Sequence, residues 1–469
     1  MSASLLTLTL LAATLAAPPE PWLPDAELRY DNEVQGEQPT DPWWRSLDDP
    51  AVAQLVELGL ANNHDLAAAH SAVTAARAMA AQAGAALAPV ASINLSSNTS
   101  PMDALGFQFG GASGGAPASD DTPETYTTAS AMLGLSWQPD VWGGQILSWR
   151  AGRFDADAAQ GDRDAAALSI GTAIASTWYD LVATQAQLVL LEDQRALVAD
   201  LLALTEQRYA QGELSGLDVL QQRQQLAATE AQLPAIRAAR FQLERAMLVL
   251  LGQPERRQLP TLPSTLPDVP PAPPTGVPAD LIENRPDLRA AMARYASSDA
   301  SARSALRGFL PTLGISAQGG RQYFVTDETK EIDTWSVSGS VSVPLWQARG
   351  AHTGLQASRA SQSAASHALS KAAMAAVQEV EGALVMEREY RLQVEATERQ
   401  VEAAEAAFSQ SREYYLQGLI TYPQVLSALQ ADQQARISRL SAQRTLLDAR
   451  ISLHEALGGR WTATAEVNP

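Results

Sequence analysis

Trp335-Ser336-Val337-Ser338-Gly339-Ser340-Val341-Ser342-Val343 is the stretch that decides the fold. Trp335, Val337, Gly339, Val341 and Val343 fall on one side of a two-residue period, and four serines fall on the other. Such alternation marks a strand with one apolar and one polar face. Three other stretches repeat it. Leu313, Ile315 and Ala317 alternate with Gly314, Ser316 and Gln318; Ala131, Leu133, Leu135 and Trp137 alternate with Met132, Gly134 and Ser136; Ile93 and Leu95 alternate with Ser92, Asn94 and Ser96. Each run is about 9–11 residues, the length that crosses a bilayer when tilted. A membrane barrel, apolar towards lipid and polar towards its lumen, has this pattern; a half-buried soluble sheet shares it. Four strands cannot close a barrel, so the chain must associate. Two copies would give about eight strands and a filled interior, and three about twelve with room for a lumen.

The chain also repeats itself. Tyr209-Ala210-Gln211-Gly212 recurs as Tyr415-Leu416-Gln417-Gly418, and the same spacing carries Val219-Leu220 onto Val425-Leu426 and Leu251-Gly252 onto Leu457-Gly458. Upstream, Asn62-Asn63-His64-Asp65-Leu66 resembles Asn284-Arg285-Pro286-Asp287-Leu288, in a register that also places Pro89 on Pro311. Pro139 matches Pro344 at a shorter spacing, so the first copy holds extra residues between Pro89 and Pro139. That interval contains the glycine-rich tract Gly106–Ser119, read as a flexible, extracellular strand loop. Each copy reads as helix, two strands, long helix, turn, long helix. Between the copies Pro260–Pro278 is too rich in proline for helix or sheet.

From Gly354 to Gln417 there is no proline, and at 1.5 Å per residue a helix there would run roughly 90–95 Å. The stretch from Asp155 to Gln211 is similar. Helices of that length belong to coiled coils more than to globular domains. Each pair is joined by a specified turn. Gly212 and Gly418 sit where a helix end needs a left-handed residue. Ser215 with Asp218 reads as a capping box, and Thr421 as an N-cap followed by Pro423 in the first turn. These two tips are expected to lie farthest from the strands.

The chain has 469 residues, is 46% hydrophobic but only 6% aromatic, and much of the apolar content is alanine. Alanine favours helix and close helix packing over a bulky core. A formal charge of −19 argues against nucleic acid as a partner, since phosphate binding needs a basic surface. Cysteine is absent, which excludes disulfides, thiolate metal sites, cysteine nucleophiles and lipidation at an N-terminal cysteine. Leu5–Ala17 is a short apolar run ending in small residues, read as an export signal although no Lys or Arg precedes it. No segment reaches the continuous apolar length of a membrane helix, so any crossing must be by strands.

Catalytic chemistry finds no support. His64, His70, His352, His367 and His454 form no metal-helix motif or triad and are read as surface or packing residues. Gly110-Gly111 and Gly114-Gly115 lack the lysine of a phosphate loop. Glu379 and Glu381 lie on a helix rich in both charges, where solvation explains them. No enzyme activity, metal or cofactor is expected.

Several stretches resemble the outer-membrane efflux factors, the TolC- and OprM-like family, in its NodT-type branch. They are Asp41–Leu47 with Asp49-Pro50, Asn284–Arg289 followed by Gly308–Pro311, Leu135–Gly143, and the two tips Tyr209–Leu220 and Tyr415–Leu426. Together they cover the chain from about Pro21 to Trp461. The resemblance implies a mainly α homotrimer: a twelve-stranded outer-membrane β-barrel in lipid, continued by a periplasmic α-helical barrel. It implies the exit duct of a tripartite efflux system, with a periplasmic adaptor and an inner-membrane pump of the RND type. A duct for type I protein secretion is the alternative; a periplasmic coiled-coil adaptor, from another class, would carry one hairpin rather than two. Adaptor docking is expected at Gly212, Glu213, Leu214, Gly418, Leu419 and Ile420. The periplasmic gate is expected at Asp218, Tyr422, Gln424 and Ser427. Many OprM-like members carry a lipidated cysteine and a carboxylate in the second tip; this chain has no cysteine, and Ser427 stands in the second position.

The expected division is a signal peptide at 1–17 and a first repeat at 18–259, with strands at about 90–99 and 128–138 and a helical hairpin at about 150–252. The linker is 260–278. The second repeat is 279–460, with strands at about 312–321 and 334–344 and a hairpin at about 350–458, and 461–469 is a tail.

Overall fold

The structure is a computed structural model that describes residues 19–24, 42–101, 125–253, 259–275, 278–325, 329–343 and 348–459. The expected signal peptide, the Gly106–Ser119 tract, Asp41, Pro344 and the C-terminal tail lie outside the described residues. Two compact units are present, and each draws on both sequence copies: one comprises 1–19, 75–156 and 293–366, the other 20–74, 157–292 and 367–469.

The first unit is built on the alternating stretches. They form four strands, β1 (Val90–Pro101), β2 (Thr125–Trp137), β3 (Thr312–Val325) and β4 (Thr329–Ser342). These make one antiparallel sheet in the order β1-β2-β3-β4, with β1 and β4 as open edges. The β2–β3 pairing fuses the two copies into a single surface. Directly paired residues share a face. The register therefore gathers Ile93, Leu133, Leu135, Ile315, Val337 and Val341 on one side and the serines and amides on the other. Trp335 on the apolar side is 82% exposed, and its apolar neighbours are exposed with it. The strands run past the apolar alternation because charged residues also pair across them. Arg321 Nε donates to Asp333 at 2.9 Å and Nη1 to Glu331 at 3.2 Å, carrying the β3–β4 ladder towards its loop end. Where β2 gives way to helix, Trp137 Nε1 donates to the Leu87 carbonyl at 3.0 Å and Trp142 Nε1 to the Pro311 carbonyl at 2.6 Å.

Helices α1 (Pro50–Asn62) and α2 (His64–Ala85) precede the sheet. The long hairpin of the first copy is α3 (Gly144–Ala210) with α4 (Gly216–Leu250), whose interior contains Pro234. A short helix α5 (Leu281–Asn284) and then α6 (Pro286–Arg307) lead into β3, and α7 (Ala348–Leu416) with α8 (Tyr422–Ala456) forms the second hairpin. No described helix is long and apolar enough to cross a membrane.

The recurring Asn-x-x-Asp-Leu segments have the same mechanical task in each copy of the second unit. Asn63 Oδ1 accepts from the amides of Asp65 and Leu66, which caps α2, while its Nδ2 donates to the Leu250 carbonyl at 2.8 Å. At the matching place Arg285 Nη1 donates to the Ala456 carbonyl at 3.0 Å. Each segment thus ties the end of a long hairpin to the start of the helix that feeds a strand. The glycine after each hairpin is required there. Gly252 has φ +65° and Gly458 φ +83°, and a Cβ would strike the Asn62 and Asn284 carbonyl oxygens respectively.

The main core of this unit gathers Trp43, Trp44, Leu47, Val52, Val56, Ile174, Trp178, Leu181, Met247 and Leu447. Asp49 explains the Asp-Pro pair that opens α1. One carboxylate oxygen accepts from the Ala51 amide at 2.9 Å, and the other accepts from Trp178 Nε1 at 3.3 Å. Trp43 stacks on His454, whose Nε2 lies 3.1 Å from Ser46 Oγ. Burial, reinforced by the charge of Arg450, lowers the His454 pKa to about 3. The linker is held by a buried pair: Arg450, 1% exposed, lies against Glu387 through two nitrogens and donates to the Pro271 carbonyl at 2.9 Å. Arg391 also reaches Glu387, and it donates to the Pro270 carbonyl.

Candidate functional site at the helical hairpin tips

Both turns close in the same way. At the end of α3, Gly212 N donates to the Tyr209 carbonyl at 2.9 Å and Glu213 N to the Arg208 carbonyl at 3.0 Å. At the end of α7, Gly418 N donates to the Tyr415 carbonyl at 3.0 Å and Leu419 N to the Tyr414 carbonyl at 2.9 Å. This double closure needs a left-handed residue. Gly212 and Gly418 provide it at φ +80° and +74°, with open space where a Cβ would stand.

The next helices are capped reciprocally. Asp218 Oδ2 accepts from Ser215 N at 3.1 Å, and Ser215 Oγ accepts from Asp218 N at 3.4 Å. In the second tip Gln424 Oε1 accepts from Thr421 N at 3.1 Å. Asp218 and Gln424, both expected at the gate, therefore also hold the first turns of α4 and α8.

Tyr422, expected at the gate, is buried at the base of the second tip. It is 3% exposed and packs edge-on against Tyr415 at 6.1 Å, with Val425 beside them and Leu214, Ile420 and Leu426 around them. Its apolar ring is thus withdrawn from water within one chain. Burial, then the neighbouring Tyr415 and the charge of Asp218, push its hydroxyl pKa up to about 12. Burial also raises Tyr415, against the opposing influence of Thr205 and Arg208. Both phenols therefore stay protonated at neutral pH. Ser427 is exposed, as are Gly212, Glu213, Gly418 and Leu419, whereas Leu214 and Ile420 are half-buried in the tyrosine cluster.

Two features of the tips escaped the sequence reading. Arg208 joins the hairpins: Nε donates to Glu213 at 3.0 Å, Nη1 to the Tyr415 carbonyl at 3.3 Å, and its guanidinium lies 5.3 Å over the Tyr415 ring. Its counterpart in the repeat is Tyr414, and that mismatch between copies was the available signal. The second feature is apolar exposure. Tyr209, Leu217, Leu220, Leu416 and Leu419 all stand in solvent around the two turns.

Among the described residues no His, Cys, Asp or Glu cluster could hold a metal ion. The family model of outer membrane efflux proteins matches residues 55–253 and 277–459. The chain belongs to the outer membrane efflux protein family. The pyoverdine export outer membrane protein OpmQ of Pseudomonas putida is 28% identical over 463 residues, covering 98% of this chain and 97% of OpmQ. Nodulation protein T of Rhizobium leguminosarum bv. trifolii is 25% identical over 400 residues, 83% of this chain and 81% of that protein. The solved outer-membrane channel OprN superposes with a TM-score of 0.83 at 24% identity, covering 94% of this chain and 99% of OprN. This member of the family is an outer-membrane efflux channel protein of the TolC-like fold, as its resemblance implied. Family channels are trimeric and work with adaptors and inner-membrane pumps.

Proposed function

We propose that this chain forms the trimeric exit duct of a tripartite system whose inner-membrane pump, of the RND type, delivers small molecules. In this reading the two hairpin tips dock the periplasmic adaptor and close the duct at its periplasmic end. The single observation that carries the docking role is the exposure of five apolar side chains, Tyr209, Leu217, Leu220, Leu416 and Leu419, on or beside hydrogen-bonded turns. Exposed apolar groups gathered at one place mark a protein contact. Gly212, Glu213, Gly418 and Leu419 present the surface of that contact, and Leu214 and Ile420 support it from beneath. Asp218, Gln424 and Ser427 lie at the starts of α4 and α8, where three copies would set each side chain in a ring. The naming of OpmQ for pyoverdine export supports a small-molecule cargo.

A photo-crosslinking residue at Leu419 tests the docking role in living cells. It should capture a periplasmic protein that the same residue at the exposed mid-helix position Glu398 does not capture. Capture at Glu398 alone, with efflux intact, would place the adaptor elsewhere.

A further inference from the structure

The register of the sheet sorts charge as sharply as it sorts hydropathy. Charged residues make up 18% of the chain. Along the polar face, from Val90 to Asn98 on β1, Thr128 to Ser136 on β2, Thr312 to Gln322 on β3 and Ile332 to Ser342 on β4, no described residue is charged. The face carries Lys330 only at its loop end, opposite Phe324. The opposite face does hold charge, as the mutually paired Arg321, Asp333 and Glu331. The sheet therefore excludes charge from one side rather than throughout.

Apart from Val90, Met132 and Ile332, what replaces charge is small or hydrogen-bonding. Ser96 and Ser130 pair across β1 and β2 through their hydroxyls at 2.7 Å, and Ser316 pairs with Ser338 across β3 and β4 at 2.7 Å. A hydroxyl both donates and accepts, so each retains capacity for water or solute. Gly134, Gly314 and Gly320 on the same face add no bulk.

We infer that the strand-built sleeve of this channel passes polar solutes of either charge sign without preference. The inference rests on the family's barrel arrangement, in which the polar face lines the lumen and the apolar face meets lipid. A fixed charge in a low-dielectric cleft concentrates ions of the opposite sign, and its field reaches about 8–10 Å at ordinary salt. A lining of hydroxyls and amides has no such field and can solvate an anion through its protons or a cation through its oxygens. Any discrimination by charge that the whole channel makes then belongs to parts other than the sleeve.

The absence of cysteine makes the test direct. Ser336→Cys and Ser342→Cys place single thiols at two depths of the polar face, and Val337→Cys places one on the apolar face. The intact channel in outer-membrane vesicles is treated from the loop side with a cationic trimethylammonium and an anionic sulfonate methanethiosulfonate reagent. Comparing two depths cancels any bias imposed before the sleeve. The cation-to-anion rate ratio should agree between Ser336→Cys and Ser342→Cys within about threefold, with Val337→Cys unreactive. A ratio that changes by about tenfold or more between the two depths, the scale on which a charged cleft acts, would overturn the inference while leaving the barrel intact. Val337→Cys reacting as fast as Ser336→Cys would overturn the orientation of the sheet, and the inference with it.

Discussion

Arg208, near the end of one long helix, is bound to Tyr415, near the end of the other: its Nη1 donates to the tyrosine's carbonyl and its guanidinium covers the tyrosine's ring. The two tips of one chain are thereby joined by a residue that has no equivalent in the second copy. An arginine over an aromatic face contributes about 0.5–1 kcal/mol at an exposed site. Its ion pair with Glu213, half-exposed on the acidic side, adds little. Across three copies, Arg208→Gln should shift the tips towards opening by about tenfold. Single-channel open probability in a planar bilayer measures it, and an unchanged value would remove Arg208 from the closing contacts.

The tip glycines should fail through backbone strain alone. A Cβ at Gly212 or Gly418 meets open space, so Gly418→Val and Gly212→Val incur the left-handed cost of about 1–2 kcal/mol without a clash. Gly418→Asn should be milder, since asparagine tolerates that conformation. Drug susceptibility should rise in the valine variants while the assembly keeps its mass. Equal efflux in valine, asparagine and parent proteins would separate tip geometry from docking.

Ser427 is exposed at the start of α8. Ser427→Asp should set three carboxylates near one axis, where mutual repulsion raises their apparent pKa. They are neutral and tolerated below that raised value, and charged and repelling above it. Conductance of the variant should therefore rise with pH between 4 and 8, while the parent stays flat. Identical traces would move Ser427 away from the constriction.

Glu387→Gln leaves Arg450 buried without a full counter-charge, and breaking one side of such a pair costs about 3–5 kcal/mol. Thermal unfolding should occur at a lower temperature, and limited proteolysis should cut within 259–275, where Pro270 and Pro271 lose their partners. The double change Glu387→Leu with Arg450→Met should recover much of the melting temperature but not the protection of the linker. Full protection in Glu387→Gln would show that the linker is held by other means.

His454 has a folded pKa near 3, below its ordinary value of about 6.5. The unfolded chain thus binds a proton that the folded chain refuses, and stability is lost as pH falls from about 6.5 towards 3, on the order of 1 kcal/mol per unit. His454→Gln should flatten the acid limb of the melting curve over that window. A parallel slope in both proteins would assign acid sensitivity to other groups.

Much of this fold could be read in the sequence because each signal was periodic. Alternation placed the four strands, and glycine with capping residues placed the turns. The strands extend further than alternation reached, because Arg321 and Asp333 pair through charge rather than hydropathy. The burial of Tyr422 was illegible for a related reason. A helix face is assigned by periodicity, but at a hairpin the period breaks, and Tyr415 from the preceding helix decides what is covered. Proline density identified the linker as non-helical. Its capture by Arg450 and Arg391 was invisible, since the partners are backbone carbonyls and carry no side-chain signature. Leu217 and Leu419 look like ordinary helix-end residues in sequence; only their exposure shows that no described residue covers them.

Three copies of this chain should join the open edges β1 and β4 into one membrane-resident channel. Extraction of outer membranes with mild detergent, followed by native mass measurement, tests it most directly. The particle should hold three copies and need detergent for solubility. A monomer that stays dispersed in water without detergent would contradict it.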